Sequence, residues 1–237
     1  TVFAESAMTR IKDIAKVQGV RSNQLMGYGL VVGLNKTGDS NKALETIQSI
    51  GNMLKAYGVA INPSSLKPDN AAAVMVTATL PPFVREGDTI DVTVSSLADA
   101  KSIQGGTLLQ TPLRAANGEV YAVAQGPVST GGFTAGNGGS KVQKNFPTVG
   151  TTPNGAIVEK SVEDDLGADG HISLSLMQPD FTTAARMAQA INARFGGIAT
   201  AANPGRIDVS VPGAYRGNVV AFIASVETLS IMPDNTA

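Results

Sequence analysis

The chain has 237 residues, 43% of them hydrophobic and 16% charged, with 18 Lys and Arg against 19 Asp and Glu for a net charge of −1. That balance argues against intrinsic disorder and against duplex nucleic-acid binding, whose affinity comes largely from a basic excess releasing counterions. With no Cys, no Trp and one His, thiol nucleophiles, iron–sulfur clusters and cysteine or multi-histidine metal sites are excluded.

The length suits one large domain or two small ones. No apolar run approaches the roughly 18 residues of a spanning helix, so a soluble protein is expected. The absence of cysteine leaves the redox compartment open, since either kind tolerates it. Thr1 to Thr9 carries neither a basic n-region nor a long apolar h-region and reads as a mature N-terminus or an extraneous remnant, with no signal peptide to claim.

The Gly-punctuated, Val- and Leu-rich segment Leu25–Leu34 predicts a buried strand with tight turns. A helix follows, capped by Ser40 or Asn41, with Leu44, Ile47, Ile50, Leu54 and Tyr57 on one face and Gly58 as its stop. From Ala71 to Gln125 the apolar period becomes two. Val74, Val76 and Ala78 alternate with Met75, Thr77 and Thr79, and Ile90, Val92 and Val94 alternate with Asp91 and Thr93. Pro81-Pro82 separates these strands, and Asn117-Gly118 marks a hairpin. Residues 129–155 are glycine-rich and predict a mobile loop or an extended β-hairpin.

The last seventy or so residues read as β-α-β-β-α-β. His171–Leu176 is a strand. Asp180 caps a helix over about 182–195, Asn203-Pro204-Gly205 turns a hairpin, Val219–Val226 is a short helix and Thr228–Met232 a final strand. This is the order of a split βαβ module. The expected class is α+β, with an antiparallel β-rich domain carrying one main helix over 1–165. A βαββαβ domain over 166–237 follows, and no internal repeat is visible.

Candidate chemistry is sparse. Gly27-Tyr28-Gly29-Leu30-Val31-Val32-Gly33 has its third glycine one residue late for a dinucleotide turn and leads into no helix N-terminus. Gly27, Gly29 and Gly33 are therefore assigned to tight turns and close strand packing. Asn35, Lys36 and Asp39 resemble a guanine-reading motif only superficially, because no phosphate loop accompanies them. Glu163-Asp164-Asp165 with Asp169-Gly170 lacks the carboxylate spacing of an EF-hand and reads as a solvated turn. His171 has no carboxylate or nucleophile beside it in the sequence, and neither a Gly-x-Ser-x-Gly elbow nor a Ser-x-x-Lys pair occurs. No catalytic, cofactor-binding or metal residue is predicted.

Three segments, IKDIAKVQGVRSNQLMGYGLVVGLNKTGDS, AAAVMVTATLPPFVREGDTIDVTVSSLADAKSIQGGTLLQTPL and VYAVAQGPVSTGGF, resemble the flagellar P-ring protein family. The likeness runs from about Arg10 to Phe133 and more loosely through ISLSLMQPDFTTAARMAQAIN. It implies a non-enzymatic, periplasmic basal-body protein without cofactors, whose copies close into a ring associated with peptidoglycan. The implied partners are other copies, the flagellar rod, the L-ring protein (with which it forms a bushing around the rod), peptidoglycan and a periplasmic assembly chaperone, with no nucleic acid. Members usually continue further and some carry a disulfide there, so the chain is expected to be C-terminally truncated. The βαββαβ order resembles ring-building modules of other secretion and flagellar rings.

Within the stretch of likeness from about Arg10 to Phe133, Lys67 and Lys101 first, and Arg85 second, are candidates to face an acidic rod. Gly131 to Gly139 are expected to form a loop ordered only in the ring. Two other readings remain open, a periplasmic peptidoglycan-binding or peptidoglycan-acting enzyme and a nucleotide binder.

Overall fold

The computed structural model describes residues 7–130, 133–135, 142–144, 148–162 and 166–234. The elements begin with β1 (Thr9–Arg10), α1 (Ile11–Ile14), β2 (Ala15–Val17), β3 (Asn23–Val32), α2 (Leu44–Ala56), β4 (Ala71–Leu80) and β5 (Thr89–Ser96). They continue with β6 (Thr107–Arg114), β7 (Val120–Pro127), β8 (Phe133–Ala135), β9 (Val142–Lys144) and β10 (Val149–Val158). The remainder are β11 (His171–Leu176), α3 (Phe181–Phe195), β12 (Ala199–Asn203), β13 (Arg206–Ser210), α4 (Val219–Glu227) and β14 (Ser230–Ile231). Every strand pair among them is antiparallel, so the chain is α+β. They form two compact units, Ser22–Glu163 and Thr1–Arg21 with Asp164–Ala237.

Ser22–Glu163 is built on a closed barrel in the order β10-β5-β4-β3-β6-β7. The period-two pattern fills it, because Val74, Val76, Val92 and Val94 all point into the core with Leu25 and Leu113. Closure is made at two irregular places. β10 pairs with β5 over Val149–Thr152 and again at Ala156 and Ile157, and with β7 over Ala156–Val158. Its register against β5 shifts between Thr152 and Ala156, where Asn154 has φ +51° and donates its N–H to Asp91 Oδ1 at 2.7 Å. β3 and β6 shift register between Met26/Arg114 and Val31/Leu108. There a Cβ on Gly27 would land on the Pro112 carbonyl oxygen and one on Gly29 on the Thr111 side chain.

The outward residues of β3 are Gln24, Met26, Tyr28 and Leu30, and α2 covers only the last. Ile47, Ile50 and Leu54 of α2 bury Leu30 and Ala73 in a second small core outside the barrel. Ser40 is the cap at this helical entry, its Oγ accepting the Lys42 N–H at 3.3 Å. Tyr57, expected on the buried face, follows the last helical residue and is 44% exposed. The Asn117-Gly118 hairpin forms with a longer connection than a two-residue turn. Only Gly118 takes positive φ (+81°), and the Ala115 N–H closes the loop on Glu119 O.

Part of the glycine-rich stretch is paired, β8 with β9, and its last residues belong to β10. The loop glycines Gly131, Gly132, Gly136, Gly138 and Gly139 lie outside the described residues.

Asp39 ties three loops together. It is fully buried, its Oδ2 accepts the Ala73 N–H at 2.8 Å and its own N–H donates to Ala71 O at 2.9 Å. Its Oδ1 has no hydrogen-bond partner. Burial pushes its pKa up against the opposing pull of the Ala73 and Ala100 amides, and Asp99 adds to the rise. Next door, Asp99 accepts the Ser40 hydroxyl and N–H. These two bonds, the hydroxyl first, hold the Asp99 carboxyl below its usual range.

The second unit carries a four-stranded sheet in the order β12-β13-β11-β2. Ile172, Leu174, Ile207 and Val209 form its apolar face, packed with Met187 and Ile191 of α3 and Phe222 and Val226 of α4. The capping carboxylate of α3 is Asp180, which accepts both the N–H and the hydroxyl of Thr183 at 2.7 Å. Asn192 of α3 pairs its side-chain amide with both the N–H and C=O of Ala199 (2.7 and 2.9 Å), blunting the β12 edge.

The elements follow the expected β-α-β-β-α-β order, but β14 does not join this sheet. It has two residues and pairs with β1, Thr9 opposite Ile231. The place beside β11 is taken by β2, with Val17 opposite Leu174 and Ala15 opposite Leu176. Ile11 and Ala15 are buried in the same cluster, which places the first 21 residues in a different unit from the 1–165 domain expected.

Two outcomes follow from these contacts. Replacing Gly27 by Ala should cost about 1–3 kcal/mol in urea unfolding, because a backbone oxygen must move. Gly197→Ala, with nothing within 4 Å, should change stability by less than about 0.5 kcal/mol. Equal costs would mean that β3 does not need its glycines. The raised pKa of Asp39 gives stability that is complete below the ordinary 3.8 and lost as pH rises through the folded value. Asp39→Asn has no such loss, so its unfolding free energy relative to the parent should grow as pH rises from about 3 and then level off. A difference that shrinks with pH would mean that the amide bonds, and not burial, control this carboxyl.

Candidate interaction surfaces

Three predicted basic residues lie on the barrel unit, and all are exposed. Lys67 precedes the turn Pro68–Asn70 that enters β4, and Lys101 follows β5. Val74 of β4 pairs with Ser96 of β5, so both lysines sit at the same end of that strand pair. The loop around Thr37 lies between them. Thr37 O accepts the Lys101 N–H at 2.9 Å, and the Gly38 N–H donates to Asp69 O at 2.9 Å. Arg85 is in the β4–β5 connection at the other end, where its N–H donates to Asp88 Oδ2 at 2.9 Å. A ten-residue strand such as β4 spans about 33 Å, so Arg85 does not share a surface patch with the lysines.

The lysine end contains more positive charge than Lys67 and Lys101 alone. Lys36 is in the intervening loop, and Lys42, next to Ser40, helps hold the Asp99 carboxyl ionised. Asp69 and Asp99 partly offset them. The ion pairs among the described residues are Arg10–Asp13, Lys160–Glu119 and Arg206–Asp208, which use none of these lysines and not Arg85. The run Asn35–Ser40, whose superficial likeness to a guanine-reading motif stands in the sequence, is thus the strut of this end. Its buried Asp39 has no signal of its own in the sequence, where an acid beside Gly38 looks like any turn residue.

Gly27 and Gly29 lie in β3 opposite β6, and Gly33 follows β3 with φ +78° and nothing within 4 Å of an added Cβ. His171 is exposed at the start of β11, with Ser210 Oγ 3.4 Å from Nδ1. Of the acidic turn, residues 163–165 lie outside the described residues, while Asp169 accepts the His171 N–H at 3.0 Å.

A cleft in the second unit gathers three carboxylates, about 420 Å³ between Thr9, Asp13, Met177, Asp180, Thr183 and Asp234. Two of its three carboxylates are already occupied. Asp13 pairs with Arg10 at 3.1 Å, and Asp180 caps α3, with its pKa lowered first by the Thr183 hydroxyl and then by the Thr183 N–H. A general acid needs a raised pKa at a reachable position. Among the described residues the carboxyl with a raised pKa is Asp39, which is sealed under the loops. Among the described residues no three His, Asp or Glu side chains converge as metal ligands.

The barrel carries an apolar cleft of about 290 Å³. It is floored by Met26, Gly27 and Tyr28 of β3, walled by Met53 and Tyr57 at the end of α2, and rimmed by Pro112 and Arg114 of β6. Met26, Tyr28, Met53 and Tyr57 are each more than 40% exposed. Helical spacing hides this surface, because it counts Tyr57 with the buried stripe and Met53 with neither face.

A model of the flagellar P-ring protein family matches residues 10–237. The flagellar P-ring protein of Geobacter metallireducens is 54% identical over 229 residues, covering 96% of this chain and 63% of that protein. That of Geobacter sulfurreducens is 52% identical over 229 residues, covering 96% and 62%. That of Paramagnetospirillum magneticum is 53% identical over 238 residues, covering 97% and 61%. The chain therefore spans a little over three-fifths of the length of these curated relatives. Identity at this level, carried through both compact units, places the chain in the flagellar P-ring protein family.

Proposed function

We propose that the chain is a structural, non-enzymatic subunit of the periplasmic P-ring of the flagellar basal body. Its copies close into a ring associated with peptidoglycan, delivered by a periplasmic chaperone, that acts with the L-ring as a bushing around the rotating rod. The family match over residues 10–237 carries this reading. Ring closure needs a heterologous contact between two different surfaces of one subunit.

The second unit fits the part of a ring-building module. β11 and β12 flank β13 with both pairings antiparallel, which leaves β11 and β12 parallel across an inserted strand, as in a split βαβ. The barrel supplies the surface toward the rod. Its end with Lys36, Lys42, Lys67 and Lys101 attracts an acidic shaft at long range, while flexible, strongly hydrated ammonium groups make no rigid dock. That combination guides assembly without gripping the part that turns. The acid-lined cleft does not favour the peptidoglycan-acting alternative, because two of its three carboxylates, Asp13 and Asp180, are engaged in pairing and capping.

Reversing Lys67 and Lys101 together to Asp should reduce swimming strongly in cells carrying this subunit as their only copy, while the purified variant keeps the parent's circular dichroism and melting temperature. Arg85→Asp, at the other end of β4, should cost less. Parental swimming by the double variant, or an equal loss from Arg85→Asp, would remove the lysine end from the mechanism. Electron microscopy of the full-length parent protein should show rings of fixed diameter, and persistent monomers would overturn the ring assignment itself.

A further inference from the structure

Two apolar surfaces in the structure have no partner among the described residues, one on each unit. α4 (VVAFIASVE) is apolar almost all round, and Glu227 is its one charged residue. Phe222 and Val226 face the core, but Val220 is 75% exposed, and Ala224 and part of Ile223 lie beside it. Val220, Ile223, Ala224 and Glu227 follow the i, i+3, i+4, i+7 spacing of a helix that lies in a groove. A surface helix normally turns a polar face outward, so this stripe marks a covered surface.

The other surface is the barrel cleft of Met26, Tyr28, Met53, Tyr57 and Pro112, in which Arg114 is the one charged lining residue. Arg114 spends one N–H on Gly118 O at 3.0 Å, and neither it nor Glu227 makes an ion pair among the described residues.

We infer that α4 of one copy of this chain docks in the barrel cleft of a second copy, with Val220 and Ala224 entering between Met53, Tyr57 and Tyr28 and Glu227 meeting Arg114. This rests on the reading of the chain as a ring subunit and names the contact that joins neighbours. Charge selects the pairing. Cleft on cleft would bring two Arg114 side chains together, and helix on helix two Glu227 side chains, whereas helix in cleft pairs opposite charges and buries both apolar patches. The contact joins two different surfaces, so it repeats from copy to copy, as a closed ring requires. The cleft's volume of about 290 Å³ takes two small aliphatic side chains. The Met and Tyr walls are the adaptable, large-area lining that such interfaces favour. A stable interface buries about 800 Å² per partner, so this contact is its apolar centre, with polar surroundings completing it.

These 237 residues contain no cysteine, and the single variants control for any thiol the full-length protein carries outside them. In the full-length protein, the Met53→Cys, Val220→Cys double variant should give a ladder of disulfide-linked multimers from assembled rings under mild oxidation, and neither single variant should. Arg114→Glu and Glu227→Arg should each weaken assembly by roughly five- to tenfold, and the two together should restore it. All four positions lie at the surface, and the charge exchange decides the matter if the cysteine variant fails to assemble. Rings that form with neither a ladder nor rescue would overturn the inference and leave the ring assignment standing. A parent protein that forms no rings would overturn both.

Discussion

The barrel closes only because β3 and β6 approach each other where β3 has no side chains on the facing side. Gly27 lies against the Pro112 carbonyl and Gly29 against Thr111, and the register shift there lets a strand containing proline share a ladder. A closed barrel has no free edges, so the barrel itself is not a template for unwanted strand pairing. The same geometry fixes what lies outside it. With the inward positions of β3 committed, its outward positions Gln24, Met26, Tyr28 and Leu30 are presented as a strip. α2 is long enough to bury only Leu30, and the apolar residues beyond the helix become the cleft.

The two ends of the β4–β5 pair are built by different physics. At one end, a buried carboxylate binds backbone amides and draws the loops after β3, before β4 and after β5 together. Burying an acid is costly without partners, and Asp39 retains one oxygen with none. The result is a rigid base under a cluster of flexible lysines. At the other end, the connection containing Arg85 is held by an ordinary turn, with Asp88 accepting the Arg85 N–H. Positive charge alone does not separate Arg85 from Lys67 and Lys101; the strand that separates them does.

Most elements are legible in the local periodicity of the sequence. The alternating valines of β4 and β5, the stripe Ile47, Ile50 and Leu54, and the caps Asp180 and Ser40 all report on neighbours within a few residues. The assignments that fail depend on contacts distant in sequence. Nothing near Ala15–Val17 announces that it pairs with β11, and nothing in Ser230–Ile231 announces β1. A two-residue strand has too short a pattern to choose a sheet. Barrel closure is equally hidden, since Asn154 and Gly155 look like loop residues, whereas β10 bends there and serves both β5 and β7. For the candidate surface, the chemistry of Lys67 and Lys101 is visible in sequence but their common end is not. The Met and Tyr cleft is invisible because its residues come from β3, α2 and β6.

The chain's scarcity of reactive groups acquires a physical meaning from the partners those groups have. Asp180 and Asn192 hold α3 and the β12 edge, Asp39 and Asp99 hold the loops, and Asp91 holds the bend of β10. Side chains that in an enzyme would be kept free in a cleft are here spent on backbone groups. Among what remains exposed are scattered lysines at one barrel end and apolar patches with single charges beside them. The first attracts without fixing position, and the second fixes position once in contact. On the proposed ring-subunit reading, one surface holds a neighbour firmly and another lets a shaft turn beside it, a division that needs both properties on different surfaces. The unequal distribution of charge and apolar area over this fold provides that separation.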